Sequence, residues 1–79
     1  MIEHLTPELV ISGLRLLIEG YKAGRDRFKD KKTPDRVEEI LTRAEKAPQA
    51  DTKQIERSIS EELDPRDAAI VKGDLLSIA

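Results

Sequence analysis

The side chains able to do chemistry in this 79-residue chain are few, and their spacing does not gather them. There is no Cys, and the single histidine, His4, has only Glu3 beside it as another ligand type. A Ser-His or Cys-His couple, a thiolate cage and a histidine-rich metal site are therefore all out of reach. Carboxylates are plentiful, but Glu38-Glu39 and Glu61-Glu62 are adjacent pairs whose side chains diverge by about 100° around a helix. Gly13, Gly20 and Gly24 fall inside a predicted helix, not between a strand and a helix, so they form no phosphate cradle. We read no catalytic residue, no cofactor site and no metal site.

Two charged constellations remain. Glu61, Glu62, Asp64 and Asp67 cluster where the third and fourth predicted helices meet, as a weak cation site or simply as caps on a solvated corner. Lys29, Lys31, Lys32 and Arg36 form the basic counterpart near the first corner, where a phosphate or acidic lipid would sit, opposed by Asp30 and Asp35. A basic corner of one molecule meeting the acidic corner of another would give a head-to-tail contact, closing into rings or growing into filaments.

Charge is unevenly spread behind a net value of −2. Residues 1–21 carry −2, residues 22–36 carry +4 and residues 37–79 carry −4, so half of all Lys and Arg fall in fifteen positions. With no aromatic interleaved among clustered lysines and an acidic chain overall, nucleic acid is a disfavoured partner. A bilayer is disfavoured as well. The longest apolar run, Leu9 to Ile18, is ten residues interrupted by Arg15, against the roughly 20 that a span requires. No signal peptide is evident and the chain has no Cys, so a reducing, cytoplasmic setting is expected.

The elements that position these residues read as four helices. Thr6 caps the first and Pro7 takes its first position, with Leu5 packing one turn ahead as a staple. Val10, Leu14, Leu17, Tyr21, Gly24 and Phe28 form one stripe, and the helix reads from 7 to about 30, some 36 Å at 1.5 Å per residue. Leu9, Gly13, Leu16 and Gly20 lie beside it as a second row, and Ile11 and Ile18 on a third line. A rod so apolar must be covered on several sides. Gly20 and Gly24 invite close approach of a crossing helix.

Thr33 caps a second helix over 34–47 with Pro34 as its first residue, Val37, Ile40, Leu41, Ala44 and Ala47 on one face, and Glu39 with Arg43 as an i, i+4 pair. Asp51 with Gln54 has the capping-box spacing for a third, 52–63, carrying only Ile55, Ile59 and Leu63 as large apolar groups. Asp64-Pro65 forces a tight corner into a fourth, 65–78, where Ala68, Ala69, Ile70, Val71, Leu75, Leu76 and Ile78 crowd together.

The fold class is therefore all-α, a small bundle of four helices in one domain with a long central first helix. About 60% of the unfolded surface is buried in a domain of this length, a thin basis for stability that association would supplement. The expected function is a non-catalytic protein–protein interaction or assembly module, as a homo-oligomer or as the effector domain of a longer chain. Candidate contacts are Leu9, Ile11, Leu16, Ile18, Gly20 and Gly24, the charged residues Lys29, Lys31, Lys32, Arg36, Glu61, Glu62 and Asp67, and Ile70, Leu75, Leu76 and Ile78. Two alternatives are a DNA-binding regulator or antitoxin using Asp64-Pro65 as a helix-turn-helix, and a peripheral membrane element.

Overall fold

A computed structural model describes residues 6–47 and 51–78, the last of these without its side chain. His4, the Leu5 staple and the break at Pro48 lie outside the described residues. The described residues form four helices, α1 (Pro7–Ala23), α2 (Thr33–Lys46), α3 (Thr52–Glu62) and α4 (Pro65–Ile78), with a 3-10 turn at Arg25–Arg27 between the first two. α1 packs on α2 and α4, and α3 packs on α2 and α4, so α1 and α3 lie diagonally across a four-helix ring.

The starts follow the local chemistry. Thr6 is extended, and its hydroxyl accepts the Leu9 N–H at 3.2 Å ahead of Pro7. Asp51 accepts the Gln54 N–H at 2.8 Å, and Asp64 accepts that of Arg66 at 2.9 Å. Each oxygen satisfies a donor that the first helical turn leaves without a partner.

α1 ends seven residues before the expected position. Gly24 leaves the helical region, its N–H still bonded to the Gly20 carbonyl at 2.9 Å, and Phe28 is fully extended. A helix of ~36 Å would overrun a molecule whose longest extent is 33 Å. It would also carry Phe28 beyond any covering helix. Turned back instead, Phe28 is buried and meets the Tyr21 ring edge-on, centroids 5.1 Å apart.

What holds that turn is Asp67. Its carboxylate accepts the backbone N–H groups of Lys29 (2.8 Å) and Asp30 (3.0 Å) and the hydroxyl of Thr33 (2.7 Å). Both Asp67 and Thr33 are completely buried. Thr33 is thus the first residue of α2 and not its cap; Lys32 holds the cap position without a side-chain bond. The oxygen that receives polar hydrogens here belongs to a residue 34 positions away.

The core is aliphatic apart from Tyr21 and Phe28, and every helix contributes: Val10, Leu14 and Ile18, then Val37, Ile40 and Leu41, then Ile55 and Ile59, then Ala68, Val71 and Leu75. α3, the sparsest packer by sequence, is fully used: Ile55, Ile59 and Leu63 are each at most 5% exposed. Tyr21 carries a polar handle into this core, its hydroxyl donating to Asp74 at 2.8 Å. Asp74 also receives Arg27 at 3.2 Å. Burial, then the bond to Asp74, push the Tyr21 phenol well above its ordinary value.

Burial disfavours the Asp67 charge, but the N–H groups of Asp30 and Lys29 and the Thr33 hydroxyl outweigh it, and the carboxyl titrates below the usual range. The unfolded chain, with Asp near pH ~3.9, therefore takes up the proton first. The stabilisation is complete above about pH 5 and is lost as pH falls through the folded value. Asp67→Asn turns an amide toward three donors and should cost ~2–4 kcal/mol at neutral pH, with a flatter acid limb, in urea denaturation across pH. Tyr21, raised when folded, stabilises fully below pH ~10 and loses that contribution above it. With one Tyr and no Trp, tyrosinate absorbance should appear only together with loss of the helical circular dichroism.

Candidate functional site

The two charged corners are about 30 residues apart in sequence and adjoin inside one molecule. Lys29 reaches Asp64 at 3.5 Å, and the backbone of Lys29 and Asp30 is held by Asp67. Arg43, expected to pair with Glu39 one turn away, bonds Glu62 across to α3. Its longer reach to the neighbouring helix gains both carboxylate oxygens. Lys29 with Asp64 is the ion pair between the two corners among the described residues, and the Asp67 hydrogen bonds reinforce it.

The remaining basic residues are spent likewise. Arg25 pairs with Asp35 through two nitrogens and donates to the Lys31 carbonyl at 2.8 Å. Lys31 faces Asp26 at 3.5 Å, Arg36 faces Asp30 at 3.8 Å, and Lys22 bonds Glu38 at 2.9 Å. The charge-assisted bond to Asp35 holds Arg25 above its ordinary value and Asp35 below its own. Of the seven basic residues in 22–36, Lys32 alone has no carboxylate within ion-pair distance among the described residues. Pairs this exposed add little to stability, but they neutralise the patch that would have drawn an anion. In the acidic corner Glu62 and Asp64 are paired with Arg43 and Lys29, Asp67 is taken up by backbone N–H groups and the Thr33 hydroxyl, and Glu61 is exposed.

The apolar candidates divide sharply. Ile18 and Leu75 are 3% and 1% exposed and belong to the core, since each lies four residues from a buried neighbour, Leu14 and Val71. Asp67, fully buried, is removed from the surface for the reason given above. Ile11 and Ile70 are half-buried against the core, and the side chain of Ile78 lies outside the described residues. Leu76 is 46% exposed, Leu9 56% and Leu16 79%. α1 is not sheathed: it buries one face and leaves two leucines, seven residues apart, on the other.

Gly20 and Gly24 do not receive a crossing helix within the subunit. A Cβ at Gly20 would meet nothing within 4 Å, and one at Gly24 would meet only the Gly20 carbonyl, at 3.3 Å. Gly13, expected on the Leu9 row, is buried. The outer face instead takes in Ser12 and Ala23, both exposed, which sequence reading overlooked. On a 3.6-residue helix, Leu9, Ser12, Leu16, Gly20 and Ala23 fall along one line, the spacing that would have found them. The strip bears no charge. Glu8 and Glu19, both exposed, stand along one edge of it, while Arg15 turns away to pair with Glu45 of α2.

Open clefts lie between α2 and α3 and along the α2 side of α1. One, about 120 Å³ between α2 and α3, is lined by Ile40, Arg43, Ala44, Gln54, Ile55 and Ser58; a second, about 400 Å³, opens beside Pro7, Ile11 and Ala44. The second also takes in Glu8, Ser12 and Glu45, so it sets one exposed hydroxyl beside two carboxylates at the edge of the α1 strip. No family model, curated protein or solved structure matches the chain.

The contrast in burial along α1 has a direct consequence. Leu14→Ala should cost ~2–5 kcal/mol in chemical denaturation, whereas Leu16→Ser should lie within about 0.5 kcal/mol of the parent. Equal costs would mean that the outer face of α1 is covered within the subunit.

Proposed function

We propose that the protein is a small non-catalytic helical interaction and assembly module whose contact surface is the outer face of α1. The observation that carries this reading is the exposure of Leu16 at 79% and Leu9 at 56% on a charge-free line of an otherwise well-packed helix. In a domain this small, two large aliphatic groups left in water on one face, beside Gly20 and Ala23, favour a protein surface as their cover. The internal pairing of the basic and acidic corners supports the same choice, because it leaves apolar contact as the main attraction on offer.

The helix-turn-helix alternative has less support. Asp67, Ala68, Val71 and Leu75 all point into the core, leaving Arg66 and Lys72 as the basic groups on α4. Sequence reading of bases usually takes several such side chains on one exposed helix face. For the membrane alternative, no helix among the described residues is long and apolar enough to cross a bilayer. A cytoplasmic setting, for a module working alone or within a longer chain, fits the cysteine-free composition.

A photoreactive side chain placed at position 16, compared with one at the exposed Ser60 on α3, tests the surface. Adducts with protein should form in cells from position 16 and be nearly absent from position 60. Equal yields at the two positions would overturn the reading.

A further inference from the structure

We infer that the occupant of the α1 face is a basic amphipathic helix of another protein, its aliphatic side chains over Leu9 and Leu16 and its lysine or arginine residues along the edge that α1 shares with α2. The inference rests on the interaction-module reading and names the chemistry of the partner.

Charge along that edge does not balance. Arg15 pairs with Glu45 and Lys22 with Glu38. Glu8 adjoins the first pair, sharing an open cleft with Glu45, and Glu19 adjoins the second, near enough that its field helps to hold the Lys22 ammonium above its ordinary value after the Glu38 bond. Both glutamates are exposed, and neither has an ion-pair partner among the described residues. Beyond the C-terminal end of the strip, Arg25 and Arg27 are matched by Asp35 and Asp74. The uncharged strip therefore runs beside two surplus negative charges and no surplus positive one.

Such a surplus selects among covers. A cation brought to it gains attraction without displacing an existing pair, whereas an anionic bilayer or a nucleic acid is repelled. A second copy laid antiparallel would bring its own Glu8 and Glu19 to the same edge. On the other edge of the strip, Gly13 and Leu17 carry no charge, so the partner's cations belong on one side of its apolar face. Shape agrees with charge. The cleft of about 400 Å³ sets the apolar groups of Ile11 and Ala44 beside the carboxylates of Glu8 and Glu45, which suits the long aliphatic stem and charged head of a lysine or arginine. Glu19 stands eleven residues further along α1, back on the same side of the helix and ~16 Å away. A straight partner helix reaches both points, with aliphatic residues at three- and four-residue spacing between them covering the leucines. Gly20, with nothing within 4 Å of a Cβ position, admits its backbone.

Apolar contact supplies the attraction and the edge supplies the choice of partner. The positive end of the α1 dipole already favours the Glu8 charge, so Glu19, in mid-helix, contributes more of the selection. A short strip with exposed charges makes the complex weak and sensitive to salt.

Two labelled peptide helices test this by fluorescence anisotropy, one with leucine along one face and lysine on one edge of it, the other with glutamate for every lysine. In dilute buffer the lysine peptide should bind about tenfold tighter or more, and most of the difference should vanish near about 1 M salt, where the Debye length is ~3 Å. Glu8→Lys combined with Glu19→Lys should reverse the preference, and Glu19→Lys alone should remove more of it than Glu8→Lys. Glu61→Lys, at an exposed carboxylate on α3 diagonal to α1, should leave it nearly unchanged. Leu16→Ser should weaken the lysine peptide severalfold, and amide shifts on binding should fall in α1 and the end of α2. No binding of the lysine peptide by about 1 mM, or a loss with Glu61→Lys as large as with Glu19→Lys, would overturn the inference. Equal binding of both peptides that still depends on Leu16 would overturn it while leaving the α1 face as a contact surface; binding indifferent to Leu16 would remove the interaction-module reading of that face as well.

Discussion

The buried carboxylate of Asp67 is the constraint on which the rest of the bundle depends. A charge with no exposed surface is tolerated only where its hydrogen bonds are complete, and here two backbone N–H groups and a hydroxyl complete them. Those donors come from the turn after α1 and from the first residue of α2, so one side chain on α4 fixes three elements at once. The position at which α1 stops, the direction in which Phe28 returns and the place where α2 starts are all consequences of that attachment. Tyr21 and Asp74, two helical turns along α4, repeat the device on a smaller scale and tie α1 to the same helix.

Within that frame, opposite charges in this chain act over short distances and mostly inside the subunit. The segment with seven basic residues folds as a tight connection in which carboxylates from α2, α3–α4 and the connection itself meet the cations. A patch that reads as strongly positive along the sequence is close to neutral once folded. Apolar surface is distributed in the opposite sense. α2 and α3 bury nearly all of theirs and α4 leaves Leu76 partly exposed, whereas α1 leaves both Leu9 and Leu16 outside the core. The excess collects on one line, and a line of leucines alternating with small residues is the natural half of a helix pair.

Much of the fold was legible from local signals. Thr6-Pro7, Asp51 with Gln54, and Asp64-Pro65 mark helix starts through capping chemistry that needs no tertiary partner, and the structure begins α1, α3 and α4 at those points. The stripes Val37, Ile40, Leu41 and Ile55, Ile59, Leu63 identify buried faces by their period alone. Asp67 also left a trace that was not read. It stands four residues before Val71 and eight before Leu75, on the apolar line of α4, where a carboxylate must either be buried with partners or break the pattern.

The sequence by itself determined the helical class, three of the four starts and most of the core, because capping bonds and the 3.6-residue period act between residues a few positions apart. Only the tertiary structure decided that α1 ends at Ala23, that Thr33 serves Asp67, that Lys29 meets Asp64, and that Ile18 and Leu75 are covered while Leu9 and Leu16 are not. Each of these depends on groups 30 or more positions apart or on which of several apolar lines a neighbouring helix covers. Local spacing offers several such lines at equal cost, and packing chooses among them.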